Sequence, residues 1–582
     1  MTEKDLGFVR RYIFSTDHKI IAIQYILTGF LMALVGGAIA MMMRMQIAWP
    51  GRKWGLLEAL FPEGMAGGIM TPEFYIALVT MHGTIMVFFF ISYVLVSGFG
   101  NYLIPLQIGA RDMAFPFLNM LSYWLAALSA LVMLVSFLAP GGAAAAGWTA
   151  YPPLSAIAAA VPGSGLGQTL WLLAMALFIF SFTMSGLNYI ATVLSMRAPG
   201  MSMWRLPLTV WSYFTSAVVG VLAFPPLTAA AIMLLFDRHF GTSFFLPEGL
   251  VVGGELLPHQ GGTPLLWQHL FWFLGHPEVY VLILPALGVV FEILPAFTRK
   301  PVFGYRITAW CYLAIGALSM IVWGHHMFVS GMSPYSGEYF SIMTMVITIP
   351  SAIIGVNMLG SLWGGSIRLR TPMLFALGLI AFFGTGGFGG IFLGNATADV
   401  QLHDTYFVVG HFHFMIGGVT LLATYAAVYF WFPKMFGRMM NETLGKIHFW
   451  ATIVSFYSIF LTQHFIGLAG TPRRYYAFLD YEFLAPLRGM QTFVTFAAFV
   501  MGAAQLVFVV NFCWSLLKGR RAGLNPWRAT TLEWTVPSPP PHGNWTGEMP
   551  TVERWAYEYS AEEATEDFTG QTVATSQVPA TF

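Results

Sequence analysis

The chain has 582 residues, of which 57% are hydrophobic and 9% charged, whereas a soluble domain carries about 25% charged residues. Its 27 basic and 26 acidic residues leave a net charge of +1, which excludes a nucleic-acid binder relying on a basic excess. Cys311 and Cys513 both sit inside apolar runs, so no disulfide framework is expected.

The N-terminal stretch MTEKDLGFVRRYIFSTDHK is polar and lacks a small-residue cleavage site, so no removable signal peptide is expected. Apolar runs close to the roughly 20 residues that cross a bilayer then fall at about 21–43, 76–105, 118–138, 170–195, 208–236, 266–296, 307–328, 340–363, 373–393, 407–432, 447–468 and 491–517. They show no period-2 alternation, so they read as helices that satisfy their own backbone in lipid rather than as barrel strands. The expected fold is all-α: a polytopic membrane protein with a short segment at 1–20, a twelve-helix membrane domain at 21–517 and a tail at 518–582. The loop at 139–168 is rich in small residues and that at 238–264 in glycine. The tail carries TLEW, a proline run at Pro537–Pro541 and an acidic stretch at Glu562–Asp567. It is expected to be extended or disordered, or to dock on a neighbouring subunit.

Twelve spans put both termini on one side, and that side collects twenty of the 27 Lys and Arg residues. The positive-inside rule therefore makes it the cytoplasmic side. Arg44, Arg473 and Arg474 defy the rule, which points to a function.

Six of the 14 histidines, His82, His276, His325, His326, His411 and His413, sit in or at the ends of apolar runs, where an ionisable group is costly. With the orientation above, all six fall in the outer third of the membrane. A lone membrane histidine reads as a core group bonded to a carbonyl; six at one depth on four helices read as metal ligands. At ~100° per residue, His411 and His413 point to opposite sides of one helix and serve two centres. His82 can complete one of them, which gives a six-coordinate haem beside a five-coordinate one with an open site. His276, His325 and His326 remain as a three-nitrogen set best suited to copper. This arrangement points to chemistry on a diatomic molecule, inside a lining of Trp272, Phe273 and Trp323 that keeps water out. Tyr280 lies four residues after His276, on the same helix face. Glu278 is embedded in WQHLFWFLGHPEVYVLILP; it reads either as a cap on a proline-broken turn or as a proton relay into the site.

The strings STDHK, HGTIMVFFF, GFGNYLIPLQIGARDMAFPFLN, QHLFWFLGHPEVYVLILP, VWGHHMFVSGM, LHDTYFVVGHFHF and GTPRRY make the sequence resemble subunit I of the A-type haem-copper oxidases, from about Thr16 to about Tyr475. The resemblance implies a terminal oxidase that reduces O2 to water with electrons from cytochrome c and pumps protons in a bacterial cytoplasmic membrane. It implies His82 and His413 as ligands of a low-spin haem, His411 as the ligand of a high-spin haem, and copper on His276, His325 and His326, with Tyr280 joined covalently to His276. Glu278 matches a proton branch point, and Asp112 with Asn101 and Asn119 the intake of the D proton pathway. His403 and Asp404 match a magnesium or manganese site, Arg473 and Arg474 the arginines that hold haem propionates, and Arg44 an arginine near a formyl group, which suggests haem A. The implied partners are subunit II with a dinuclear copper centre, subunit III and a cytochrome c donor; membership of a respiratory supercomplex stays open. The chain itself has no cluster of paired Cys, His and Met for such a copper centre.

One departure from the family stands out. The second proton route of the family uses a lysine, a serine and a threonine where this sequence has Ile354, Phe291 and Gly384. Glu292, beside Phe291, reads as a surface-facing residue near a helix end, or as part of another route. A quinol oxidase is the alternative within the superfamily, but the Arg and Asp that such relatives carry in the first helix are Val35 and Ile39 here. Tyr280 argues against a nitric oxide reductase. A transporter would need inverted repeats and midplane helix breaks, and no internal repeat is visible.

Overall fold

The computed structural model describes residues 7–158, 163–259, 261–561 and 566–574. Lys4 and most of the acidic stretch at 562–567 lie outside the described residues. Eleven helices among these are long and apolar enough to cross a membrane. In chain order they are α1 His18–Ala48, α2 Pro72–Ile108, α3 Pro116–Leu138, α4 Leu166–Ser195, α5 Leu208–His239, α6 Pro264–Thr298, α8 Pro334–Leu362, α9 Thr371–Leu393, α10 Tyr406–Phe436, α11 Glu442–Leu468 and α12 Glu482–Lys518. The predicted seventh crossing is α7, Tyr305–Ser319, only 15 residues long and so about 22 Å. Beyond it the chain continues as a 3₁₀ turn at Trp323–Met327. Such backbone is tolerated at membrane depth where protein, not lipid, surrounds it, and this turn carries His325 and His326.

Start signals are local. Asp17, Thr71, Thr263 and Asn441 cap α1, α2, α6 and α11 through their side chains, and proline follows Thr71 and Thr263, since the first turn has no partner for its N–H groups. Sequential helices pack as neighbours and α12 returns to α1. Close approach depends on glycine: a Cβ on Gly288 of α6 would sit 2.2 Å from Ser212 Oγ of α5. The strands among the described residues form two antiparallel ribbons in loops, Met65–Ala66 with Ile69–Met70 and Val251–Val252 with Glu255–Leu256. Helix α6 is the most enclosed span, with 89% of its apolar window buried. Two helices widen locally to π-helix, α2 over Ile85–Phe99 and α10 over His413–Gly418, a distortion common at functional sites.

The tail corrects one expectation. Its described residues, 518–561 and 566–574, are not free but fold back over one end of the bundle, called here the tail face. Leu532, Trp534, Tyr557 and Tyr559 are buried, and burial of these large side chains offsets the ordering cost that keeps polar tails disordered. Asn544 donates to Ala110 O at 2.8 Å and accepts from Lys19 Nζ at 3.0 Å. Glu292 is a second correction. It is 4% exposed and accepts hydrogen bonds from Thr209 Oγ1 at 2.8 Å and from the tail's Tyr557 hydroxyl at 3.0 Å, because the tail covers what would otherwise be a surface. Glu533, also buried, accepts from Gln107 Nε2 and Trp431 Nε1 at 3.1 and 3.2 Å.

The 566–574 segment of the tail is pinned by Arg299, whose Nη2 and Nε donate to the two Asp567 oxygens at 2.8 and 2.9 Å. Hydrogen bonds to a charged group contribute about 1.5–3 kcal/mol. Arg299→Ala is therefore expected to raise cleavage of the 566–574 segment by a protease about tenfold or more, with the helical bundle intact by circular dichroism; unchanged cleavage would show that Asp567 does not hold the tail.

Candidate metal centre

His276 follows one turn after Trp272 in α6, and His325 and His326 approach it from the Trp323–Met327 turn. His276 Nδ1 lies 3.3 Å from His326 Nε2, and His325 Nε2 lies 3.1 Å from the same atom. One nitrogen from each ring falls within 4.8 Å of the others. The supporting contacts fix the rings. Thr344 Oγ1 donates to Phe340 O and so accepts from His325 Nδ1 at 2.9 Å, leaving Nε2 as the free donor atom. Trp272 stacks on His326 with centroids 3.8 Å apart and planes at 9°, and its indole N–H bonds the Tyr151 hydroxyl. His276 Nε2 is buried with no partner, and the Tyr280 ring stands edge-on to His276 at 4.9 Å. Three convergent neutral imidazoles are a donor set for copper.

The other three histidines line the same cavity, about 1420 Å³ in volume. His82 Nδ1 donates to Gly36 O at 2.9 Å, His413 Nδ1 to Val409 O at 2.9 Å and His411 Nδ1 to Gly386 O at 2.8 Å. A carbonyl can only accept, so in each neutral ring Nε2 is the unprotonated nitrogen, the one an axial haem ligand uses. Small residues make room: a Cβ on Gly387 would meet nothing within 4 Å, and one on Gly390 would touch His411 at 3.1 Å. The cavity runs from Arg44 to Leu27 along α1 and down to Cys513 on α12. Seventeen residues of helix span about 25 Å, which suits a macrocycle carrying a long apolar tail.

Polar groups gather at the end of the cavity away from the tail. Arg473 pairs with Asp404, Arg474 lines the cavity wall, and His403 Nδ1 bonds Asp399 Oδ2 at 3.0 Å. Burial alone would raise the Asp404 carboxyl, but Arg473, His403 and Arg474 outweigh it and hold the group below its ordinary range. Arg44 Nη2 reaches Gln491 O at 2.8 Å and Thr495 Oγ1 at 2.9 Å on α12. Glu278, buried at the cavity wall, accepts from Ser92 Oγ at 3.4 Å, while its Oε2 is unpartnered.

A family model described as cytochrome C and Quinol oxidase polypeptide I matches residues 20–500. The chain belongs to that family. It is 50% identical over 563 residues to the alternative cytochrome c oxidase subunit 1 of Bradyrhizobium diazoefficiens, covering 96% of this chain and 93% of that one. It is 41% identical to cytochrome c oxidase subunit 1 of Thermostichus vulcanus, covering 95% and 93%, and 42% identical to that of Bacillus subtilis, covering 92% and 80%. A solved haem-copper terminal oxidase dimer shares the fold, with TM-score 0.69 and 20% identity over 87% of this chain and 85% of that one. The chain is thus a multi-pass membrane oxidoreductase, the catalytic subunit of a haem-copper terminal oxidase.

Asp112, Asn101 and Asn119 do not join the cavity. They stand toward the tail face, with Asp112 in the turn between α2 and α3. Both amide atoms of Asn119 and Asn101 Oδ1 are buried without partners, which suits bridging water. Beyond them a hydroxyl ladder rises between helices: Tyr25 bonds Ser122 and Ser181 at 3.3 and 3.2 Å, and Ser185 donates to Ser122 at 3.2 Å. Burial raises the Asp112 carboxyl from 3.8 to about 6, against the Met113 N–H that favours its charge. The native state therefore holds this proton to higher pH than the unfolded chain, so Asp112 costs stability as pH rises from about 4 to about 6. Infrared difference spectra of the parent minus Asp112→Asn are expected to show ionisation centred near pH 6; a midpoint at or below 4 would refute the buried setting.

Several functional contacts were not read from the sequence. Asp399 precedes His403 by four residues on the short helix Ala396–Leu402, a spacing that could have flagged the pair. Ser92, Thr344, Gln491 and Thr495 gave no such signal, since each meets its partner only across helices. The three positions that depart from the family stay apolar: Ile354 and Phe291 are fully buried in the core, and a Cβ on Gly384 would meet nothing within 4 Å.

Proposed function

We propose that this subunit reduces O2 to water with electrons from a cytochrome c donor and couples the reaction to proton pumping across the bacterial cytoplasmic membrane, both termini facing the cytoplasm. The convergence of His276, His325 and His326 beside Tyr280, in the cavity that also holds His82, His411 and His413, carries this reading. Copper and two haems, when bound, supply the electron transfer and the redox chemistry at O2. His82 and His413 hold the low-spin haem, His411 holds the high-spin one, and the other three histidines hold copper.

The chain's own groups do the rest. Tyr280 would give an electron and a proton close to where O2 binds, and the unpartnered Nε2 of His276 is the atom its ring would join, one C–H and one N–H being lost with their two electrons and two protons passing to O2. Glu278 passes protons from the Asp112, Asn101 and Asn119 intake through the Tyr25–Ser122–Ser181–Ser185 ladder. Because Ile354, Phe291 and Gly384 offer no polar group, this route carries protons for both halves of the cycle. Arg473 and Arg474 neutralise propionate charge. Arg44, tethered by Gln491 and Thr495, would hold a formyl group, which together with the long apolar channel supports haem A. His403 and Asp404, with Asp399 orienting His403, hold magnesium or manganese at the contact with subunit II, which brings its own dinuclear copper; subunit III completes the complex. Val35 and Ile39 leave α1 without a polar pair for a quinol.

The reduced-minus-oxidised spectrum of the purified complex, with and without CO, tests this. Two haems A, one binding CO, are expected. Haem B or O would refute the formyl role of Arg44, and absence of haem would overturn the histidine assignment.

A further inference from the structure

A second cleft, about 450 Å³, opens on the tail face where the ends of α6 and α12, the segment before α9 and the first residues of the tail meet. Arg368, Arg370, Lys518 and Arg520 line it against one carboxylate, Glu442. That carboxylate is already engaged: its Oε1 accepts the Thr371 N–H at 2.8 Å and lies 3.9 Å from Lys446 Nζ. Arg368 is held by Asp567 at 3.1 Å. The side chains of Arg370, Lys518 and Arg520 are exposed and make no hydrogen bond or ion pair among the described residues. Three unpaired cations around one cleft repel one another unless an anion joins them.

The position of the cleft identifies the anion. Lys518 is the last residue of α12, and Trp514, which lines the cleft, is 56% exposed with Leu517 beside it at 73%. An exposed Trp and Leu on a spanning helix mark the lipid boundary, so the basic rim lies at head-group depth with an apolar flank below it. Guanidinium groups bind phosphate oxygens in pairs, and an ammonium adds a point charge. Basic pockets between spanning helices are built for phospholipid head groups.

We propose that this cleft binds the phosphate of an anionic phospholipid, with Arg370, Lys518 and Arg520 on the head group and the Trp514–Leu517 flank against an acyl chain. Free phosphate shares the phosphate chemistry but has nothing to set against that flank, and a nucleotide offers a base that stacks on Trp514 but no acyl chain for Leu517.

The test is native mass spectrometry of the delipidated oxidase complex titrated with cardiolipin, comparing the parent with the triple variant Arg370→Gln, Lys518→Gln, Arg520→Gln. At about 1 kcal/mol per cation near the surface, the loss of three is expected to weaken the tightest lipid site about 100-fold. Millimolar inorganic phosphate or ATP is expected to leave that lipid bound. A control removes three other cations of the same face, Arg111, Arg306 and Arg521. Unchanged lipid affinity in the triple variant, or an equal loss in the control, would overturn the proposal. Displacement of the lipid by phosphate or ATP would overturn it in favour of a soluble anion. Haem content and thermal unfolding of each variant establish that the complex is intact.

Discussion

Replacing His326 by asparagine is expected to empty the copper site and abolish O2 consumption while both haems remain. His326 Nε2 is the atom nearest both other rings, 3.3 Å from His276 Nδ1 and 3.1 Å from His325 Nε2, so its loss leaves two ligands on different elements with nothing between them. Changing a group that only orients a ligand costs about 10–100-fold in metal affinity or activity; removing a ligand outright must cost more. The fold should survive, because what is lost besides is the stack on Trp272, and aromatic stacking contributes only about 0.5–1.5 kcal/mol. Metal analysis, the haem spectrum and an oxygen electrode read the three quantities separately. A variant that kept the parent's three coppers per complex, two of them on subunit II, and normal turnover would remove His326 from the ligand set.

Glu278→Gln is the second large effect expected. Glutamine keeps the volume of the side chain and its bond from Ser92 Oγ, but it cannot release a proton. Proton transfer by a positioned group contributes about 10²–10⁴-fold, and turnover should fall within that range with the haem spectra and copper content unchanged. Ile354, Phe291 and Gly384 offer no polar group, so a route through those three positions cannot relieve the block. Glu278→Asp, one methylene shorter, should recover part of the rate. Turnover within twofold of the parent in the glutamine variant would mean that protons reach the site without Glu278.

Why those two residues were legible, and others were not, follows from the range of the interactions. His276, Glu278 and Tyr280 lie within five residues on α6, and helical geometry alone puts His276 and Tyr280 on one face. Histidines and a carboxylate inside apolar runs are conspicuous because lipid makes them costly. Ser92, Thr344 and the Gln491–Thr495 pair are ordinary polar residues in helices, and nothing in their neighbourhood of sequence points to a partner. The tail misled for a related reason. Its proline run and acidic stretch suggest disorder, whereas Trp534, Tyr557 and Tyr559, scattered over 26 residues, find a common apolar surface only on the folded bundle. Glu292 was misplaced with it, since its burial depends on the tail's Tyr557.

By itself, then, the sequence determined that the chain spans a membrane many times, and it singled out six histidines in apolar runs and three of them as a set suited to copper. Those properties depend on the hydrophobicity of single segments and on the pitch of a helix, both local. Tertiary structure alone decided that the seventh span breaks into a turn delivering His325 and His326 to His276. It also decided that the cavity runs on past α1 to Cys513, and that the tail seals Glu292 and Glu533 from water. Each of these depends on contacts between segments far apart in the chain, and no local preference encodes which distant surface a segment will meet.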